Sequence, residues 1–390
     1  MRQLALLLSA AFALASSPAT TVAQTRGVSA NSIKIGTVTD LSGPLASWGV
    51  SATNGIRMRF DEANAAGGIH GRRIEFIVED MQYQIPNAIR ASNKLMTSDQ
   101  VFAFIATLGT PPNNAIMKSV MDAGFPYLFP LSAGLQMSEP PHPLKVPFLL
   151  NDRDTMRGAV RYITEQRGVK RICYQVMAND YGAEVENGIT SAAEKLGLTV
   201  TASGKHRPTE TEFTAAVLQL RNSGCQALFI GAVARDATQI YTAVRAAGWD
   251  VPVISALGAL VPPVAENPAM EGFYTAAPFY LVDFRGLRAT QPAVADWAER
   301  YKARFNIEPS PQAVIGYTMA DVTVRGLQQA GRELTPQSLM AAFPALGVYR
   351  DPFGGPDVKT AGAKHFGAEY SVLSQVKGGR WVVAAPRLPF

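Results

Sequence analysis

Residues 33–80 read IKIGTVTDLSGPLASWGVSATNGIRMRFDEANAAGGIHGRRIEFIVED, and their pattern decides the fold. Ile33 to Val38 carries a β-branched or small residue at nearly every place and runs on to the turn Ser42-Gly43-Pro44. Val50, Ile56, Phe60 and Ala63 then recur at spacings that keep them near one face of a helix. Gly67 and Gly68 stop that helix, since glycine takes the left-handed conformation past a helix end. Gly71-Arg72-Arg73 turns the chain into a second strand, Ile74 to Glu79. Strand, helix and parallel return strand form the unit of a doubly wound sheet, whose ligands lie beyond the carboxyl ends of its strands. A ligand is therefore expected at the loop Thr39 to Gly49.

The rhythm continues outward. A helix from about Pro86 to Ser98 precedes the strand Val101 to Ala106, and a further helix to Ala123 precedes the strand Pro126 to Pro130. The segment EPPHPLKVP, Glu139 to Pro147, has four prolines in nine residues and cannot be a helix or a central strand, so it reads as a domain exit. Beyond it helices at 155–166, 182–196, 212–222 and 237–247 alternate with strands at 171–176, 198–201, 227–231 and 253–255. Such alternation predicts parallel sheets covered on both faces. The last third, an extended piece at 272–277, helical stretches at 292–305 and 311–330, and a hairpin at 370–384 around Gly378-Gly379, is too fragmentary for a core of its own. The expected architecture is α/β, with two Rossmann-like lobes: 28–147 plus 278–345, and 148–277 plus 346–390. Three chain crossings, near 147–151, 275–282 and 344–352, would form the hinge.

At 390 residues and 47% hydrophobic, the chain can bury a large core. The formal charge of +5 comes without a basic run, which argues against nucleic acid as a partner. The first 23 residues hold one Arg, an apolar centre from Leu4 to Ala15 and small residues at Thr21 and Ala23, the pattern of a secretory signal cleaved after Ala23. Two cysteines in an exported chain invite a Cys173–Cys225 bridge. Their offset along neighbouring strands exceeds the reach of a bridge, so two buried thiols are expected and the bridge is the alternative.

LSGPLASWG at 41–49, NGIRMRFDEANAAGGIHGRRIEFIVED at 54–80 and NDYGAEVENG at 179–188 resemble the type I periplasmic binding proteins of branched-chain amino acid transport, and the likeness runs from Ile33 to about Val383. The resemblance implies a two-lobed trap that closes on a small solute in the periplasm, acts as a monomer, needs no cofactor, and delivers its load to an ABC permease and its ATPase subunits. It places an aromatic wall at Trp48, the first-lobe loop at Leu108, Gly109 and Thr110, the carboxylate-binding turn at Leu131, Ser132 and Ala133, and a second-lobe contact at Tyr181. The amides of Thr110, Ser132 and Ala133 suit that role, because both loops precede predicted helices with unpaired N-terminal N–H groups.

The resemblance also places a ligand-facing tyrosine region at Val233 and Ala234, and the acid that would neutralise an α-amino group at Leu257. Neither polar group is present. A buried ammonium without an acid is costly, so a zwitterionic amino acid is disfavoured unless Asp236 or another acid takes over. Arg235 is a candidate partner for a second anionic group. The expected ligand is thus a small organic carboxylate with an apolar or aromatic body. A sensor that hands its closed form to a membrane receptor would read identically. An exported α/β hydrolase would need a nucleophile elbow, and the sequence has no G-x-S-x-G, H-E-x-x-H or Walker loop. The histidines, His70, His142, His206 and His365, lack metal-ligand spacing, so neither a metal nor catalysis is expected.

Overall fold

The structure, a computed structural model, describes residues 25–279, 284, 287–355, 357–362, 364, 366–367 and 369–388. The export signal with its cleavage site, His365 and the end of the 275–282 crossing lie outside the described residues.

Five parallel strands make the first sheet: β1 (Ser32–Thr39), β2 (Arg73–Asp80), β3 (Ala103–Ile105), β4 (Tyr127–Leu128) and β5 (Lys145–Val146), in the order β2-β1-β3-β4-β5. Helices α1 (Ala46–Ala65), α2 (Ile85–Thr97) and α3 (Thr110–Asp122) connect them. The proline-rich exit supplies β5, which sits at the sheet edge, where missing N–H donors are tolerated.

The second sheet takes α4 (Asp152–Arg167), β6 (Arg171–Met177), α5 (Asp180–Leu196), β7 (Thr199–His206), α6 (Thr214–Asn222), β8 (Ala227–Gly231), α7 (Ala234–Ala246), β9 (Val253–Ser255), α8 (Pro262–Glu266) and β10 (Tyr274–Ala277). Next come α9 (Leu287–Thr290), α10 (Pro292–Phe305), α11 (Pro311–Ala330), α12 (Pro336–Ala342) and the two-stranded ribbon β11 (Val348–Tyr349) with β12 (Val358–Lys359). The hairpin β13 (Val372–Val376) and β14 (Trp381–Ala385) then adds two antiparallel strands to the second sheet, in the order β14-β13-β10-β9-β8-β6-β7.

Although α11 comes late in the chain, it packs on α1 of the first layer. The contact is backbone to backbone: a Cβ on Gly55 would lie 2.1 Å from the Ala313 carbonyl oxygen, and one on Gly316 would lie 2.1 Å from that of Ala52. An Arg59–Asp321 ion pair at 2.7 Å fixes the register of the two helices.

Two features differ from the sequence expectation. The third crossing does not fall at 344–352, because the β11–β12 ribbon, too short to show as a pattern, stays on the first layer with Tyr349 under the Arg325 guanidinium. The chain crosses later, where Phe366 and Gly367 donate to the carbonyls of Pro147 and Phe148 in the first crossing. The cysteines are not two thiols: Cys173 and Cys225 form a disulfide with Cα atoms 5.8 Å apart. Gly224, at φ +71°, turns the chain before β8, so Cys225 does not extend the line of the strand as the offset argument assumed.

Two stability effects follow. Gly316→Ala forces α1 and α11 apart and is expected to cost about 1–3 kcal/mol, read as a lower melting temperature. The bridge closes a loop across 52 positions, so reductant is expected to remove about 4 kcal/mol of stability. The same reductant should leave the melting temperature of a Cys173→Ala, Cys225→Ala double variant unchanged.

Candidate functional site

The carboxyl ends of the strands carry the loops that build one cleft. Beyond β1, the buried Asp40 carboxylate accepts the N–H groups of Gly43 at 2.6 Å and Leu45 at 2.7 Å, which ties the Ser-Gly-Pro turn. Burial pushes the Asp40 carboxyl up, and those two N–H donors pull it back. The first turn of α1 lies directly on this turn: a Cβ on Gly49 would stand 1.8 Å from the Asp40 carbonyl oxygen, so only glycine allows the approach. The docking sets Trp48, which is 4% exposed, into the cleft wall, with its ring edge-on to Phe279 beyond β10 at 6.2 Å.

Beyond β3, Gly109 has φ +87° and a Cβ there would meet the Tyr83 ring at 2.4 Å. Asn113 clamps this loop by donating to the carbonyls of Thr107 and Gly109, both at 2.7 Å, while the Tyr127 hydroxyl donates to its amide oxygen. Pro111 and Pro112 follow Thr110 and have no N–H, so Thr110 supplies the donor at the start of α3. Its hydroxyl lies 2.9 Å from that of Ser132, whose oxygen also accepts the Gly134 N–H at 3.1 Å. The loop bearing Ser132 does not enter an α-helix as expected; only a three-residue 3-10 turn, Leu135–Met137, follows it.

The facing wall comes from the second sheet. Asn179 caps α5 by accepting the Gly182 N–H at 3.0 Å, which places Tyr181 so that its hydroxyl accepts the Gly258 N–H at 3.1 Å. Asn151 caps α4 in the same way through the Asp154 N–H at 2.8 Å, and this sets Asp152 at the cleft, its own N–H donating to the Ala133 carbonyl at 2.6 Å. At the rim, Asn114 donates to Asp180 and Gln136 donates to Glu184, both at 2.8 Å, so the two halves touch across the opening.

The cleft encloses a small cavity of about 50 Å³. Of the residues read from the sequence, Trp48, Leu108, Gly109, Thr110, Leu131 and Ser132 line it, as do Ala133, Tyr181, Val233 and Leu257. Ala234 and Arg235 do not. The guanidinium of Arg235 is turned to the Asp236 carboxylate at 2.6 Å and the Pro208 carbonyl at 2.6 Å, so it is not available to a second anionic group. Asp236 is likewise committed, to Arg235 and to His206 at 3.3 Å, and does not replace the acid missing at Leu257.

Leu45, Tyr83, Leu149, Asp152 and Gly258 also line the cleft and were not read from the sequence. The signal for Asp152 was local: an Asn cap followed by acids in a first helical turn, in NDRD at 151–154. Placing the start of the helix at 155 left that acid in a connection. Its environment is unusual, since it is 0% exposed and neither carboxylate oxygen has a hydrogen-bond partner among the described residues. Burial, and then the nearby Glu184 charge, push its carboxyl up to about 8.

A family model described as periplasmic binding protein matches residues 32–380. Among curated relatives, the leucine-, isoleucine-, valine-, threonine- and alanine-binding protein of Pseudomonas aeruginosa is 23% identical over 84% of this chain and 86% of its own length. Among solved structures, a fatty acid ABC transporter substrate-binding protein from Thermomonospora curvata superposes with a TM-score of 0.81 at 23% identity, covering 94% of each chain. An ABC transporter solute-binding protein from R. palustris in complex with benzoate superposes at 0.79 and 20% identity, over 92% of this chain and 98% of that one.

Asp152 makes the ligand-free fold sensitive to pH. Its folded-state value lies above its unfolded one, so the unfolded chain gives up the proton first and stability falls as pH rises from about 4 to about 8. Asp152→Asn removes this slope, about 1.4 kcal/mol per pH unit within the window, and is expected to melt above the unsubstituted protein at pH 8 with the gap closing at pH 4. Melting curves of the ligand-free proteins across that range check it.

Proposed function

The chain belongs to the periplasmic binding protein family, and from that premise we propose that it is the solute-binding component of an ABC transporter, taking a small organic carboxylate with an apolar body into its cleft. The observation that carries this reading is the Thr110–Ser132 hydroxyl pair, 2.9 Å apart at the start of α3 and faced by Trp48, Leu108, Leu131, Val233 and Leu257. One end of that arrangement donates hydrogen bonds to an anion at a helix N-terminus, and the rest takes hydrocarbon. The amino acids, fatty acid and benzoate named for the relatives have a carboxylate in common, which agrees with the donor pair.

The rim contacts Asn114–Asp180 and Gln136–Glu184 close the cleft, and the solute favours this form to the extent that it binds it better than the open one. The three chain segments between the sheets act as the hinge. The protein works as an exported monomer that hands the closed form to a membrane permease driven by cytoplasmic ATPases. Among the described residues no helix is long and apolar enough to cross a membrane.

Native mass spectrometry of the gently purified protein is expected to release a carboxylate-bearing solute on unfolding. Ser132→Ala should weaken that solute by about ten- to a hundredfold, the value of a charge-assisted hydrogen bond. Recovery of a solute without a carboxylate, or an unchanged affinity in the variant, defeats the reading.

A further inference from the structure

The proline-rich loop that leads into β5 is short of hydrogen-bond donors. Pro140, Pro141 and Pro143 have no N–H, and the carbonyls of Gln136 and Pro140 receive none from the backbone among the described residues. Both accept instead from the Nζ of Lys145, each at 2.8 Å. Lys145 opens β5 at the edge of the first sheet and is 7% exposed. Burial pulls its ammonium down, and no carboxylate pairs with it among the described residues. A buried ammonium answered by two carbonyls and no acid is an unfavourable way to tie a loop to a sheet. What it holds is the residue that reaches across the mouth of the cleft. Gln136 sits in the turn Leu135–Met137, and its side-chain amide donates to Glu184 of α5 at 2.8 Å. Glu184 is 8% exposed and its other oxygen has no partner among the described residues, so the bond from Gln136 is the compensation this carboxylate receives. The second rim bond, Asn114 to Asp180, is exposed.

We propose that Lys145 is a positioning residue for solute retention: its ammonium fixes the main chain of Gln136 so that the side chain of the same residue meets Glu184 and holds the cleft shut. The assignment rests on the closing of the cleft proposed above. The turn bearing Gln136 is tied at its start, where the Gly134 N–H donates to the Ser132 hydroxyl at 3.1 Å and the Met137 N–H to the Gly134 carbonyl at 3.0 Å. At its far side three prolines leave no ladder or helix to hold it, and a lysine supplies three N–H donors from a single atom. Lys145 itself touches neither the cleft lining nor Glu184 and acts only through Gln136. A lysine that merely tied the loop to the sheet edge would contribute to stability and leave the balance between open and closed forms as it is. One that orders Gln136 shifts that balance by the strength of the bond to Glu184, because a donor held in place loses less freedom when the bond forms.

The distance between the layers tests this without any solute of known identity. Nitroxide labels on Ile89→Cys and Leu218→Cys, exposed sites on α2 of the first layer and α6 of the second, report it by pulsed electron resonance, and the bridged native cysteines do not take the label. The labelled protein is measured as purified and again after unfolding and refolding to strip it of solute. A short and a long distance are expected. Gln136→Ala and Lys145→Met should each lower the short-to-long ratio about tenfold, the value of one charge-assisted hydrogen bond, and the two together should lower it no further than either alone. Should Lys145→Met fail to fold, Lys145→Gln, shorter but with N–H donors of its own, replaces it with the same expected outcome, and a chain that folds with neither overturns the assignment in favour of a stability role. An unchanged ratio in the lysine variant, or a fall that adds to that of Gln136→Ala, overturns the assignment and leaves the carboxylate reading standing. One fixed distance in every variant and both preparations means that the layers do not move against each other, and the closing of the cleft falls with it.

Discussion

A parallel strand can be followed only by a crossover, and this constraint places every functional loop of the molecule at the same ends of its strands. In the first layer, β1, β3 and β4 deliver the turns bearing Trp48, Thr110 and Ser132 to one edge. In the second, β6, β8 and β9 do the same for Tyr181, Val233 and Leu257. The cleft exists because the two edges face each other. Its shape then depends on close backbone approaches that only glycine permits, above all Gly49 on the Asp40 carbonyl and Gly109 under the Tyr83 ring.

Polar groups within this framework divide by how they are satisfied. Asp40 and Asp80 serve the Ser-Gly-Pro turn, Asp80 by accepting the Leu41 N–H and the Ser42 hydroxyl, and both are answered by groups close at hand. The Arg235–Asp236–His206 set is closed on itself within the second layer. Asp152 is different because its helix start lies where the chain leaves the first sheet for the second, a place where, among the described residues, neither of its oxygens meets a donor. Desolvation without compensation is unfavourable for the charged form, and it raises the hold of this carboxyl on its proton.

The hinge region is aromatic where the cleft is mixed. Phe129 meets Phe148, Phe343 and Phe366 edge-on at 5.6–5.8 Å, joining the end of the first sheet to the first and last crossings. Across the opening of the cleft the contacts are polar instead, the pairs Asn114–Asp180 and Gln136–Glu184. The interleaved chain, with α11 returned to α1 by reciprocal glycines, makes each layer depend on a segment that comes after the other has begun.

The sequence by itself determined the α/β class, the order of the elements and most of the cleft wall. Those follow from local rules: period 2 against period 3.6, glycine at helix ends, proline at exits, and the location of ligand loops beyond parallel strands. Trp48, Thr110, Ser132 and Tyr181 were legible because each lies in a turn whose place in the fold is set by its own strand. Only the tertiary structure decided the features that depend on chain turns between elements. Gly224 brought Cys225 to Cys173, the β11–β12 ribbon held the last crossing back to residue 366, and side-chain pairing turned Arg235 away from the cleft. It also decided that Asp152 is buried without a partner, since whether a charge is answered depends on residues distant in sequence, and no pattern along the chain records their absence.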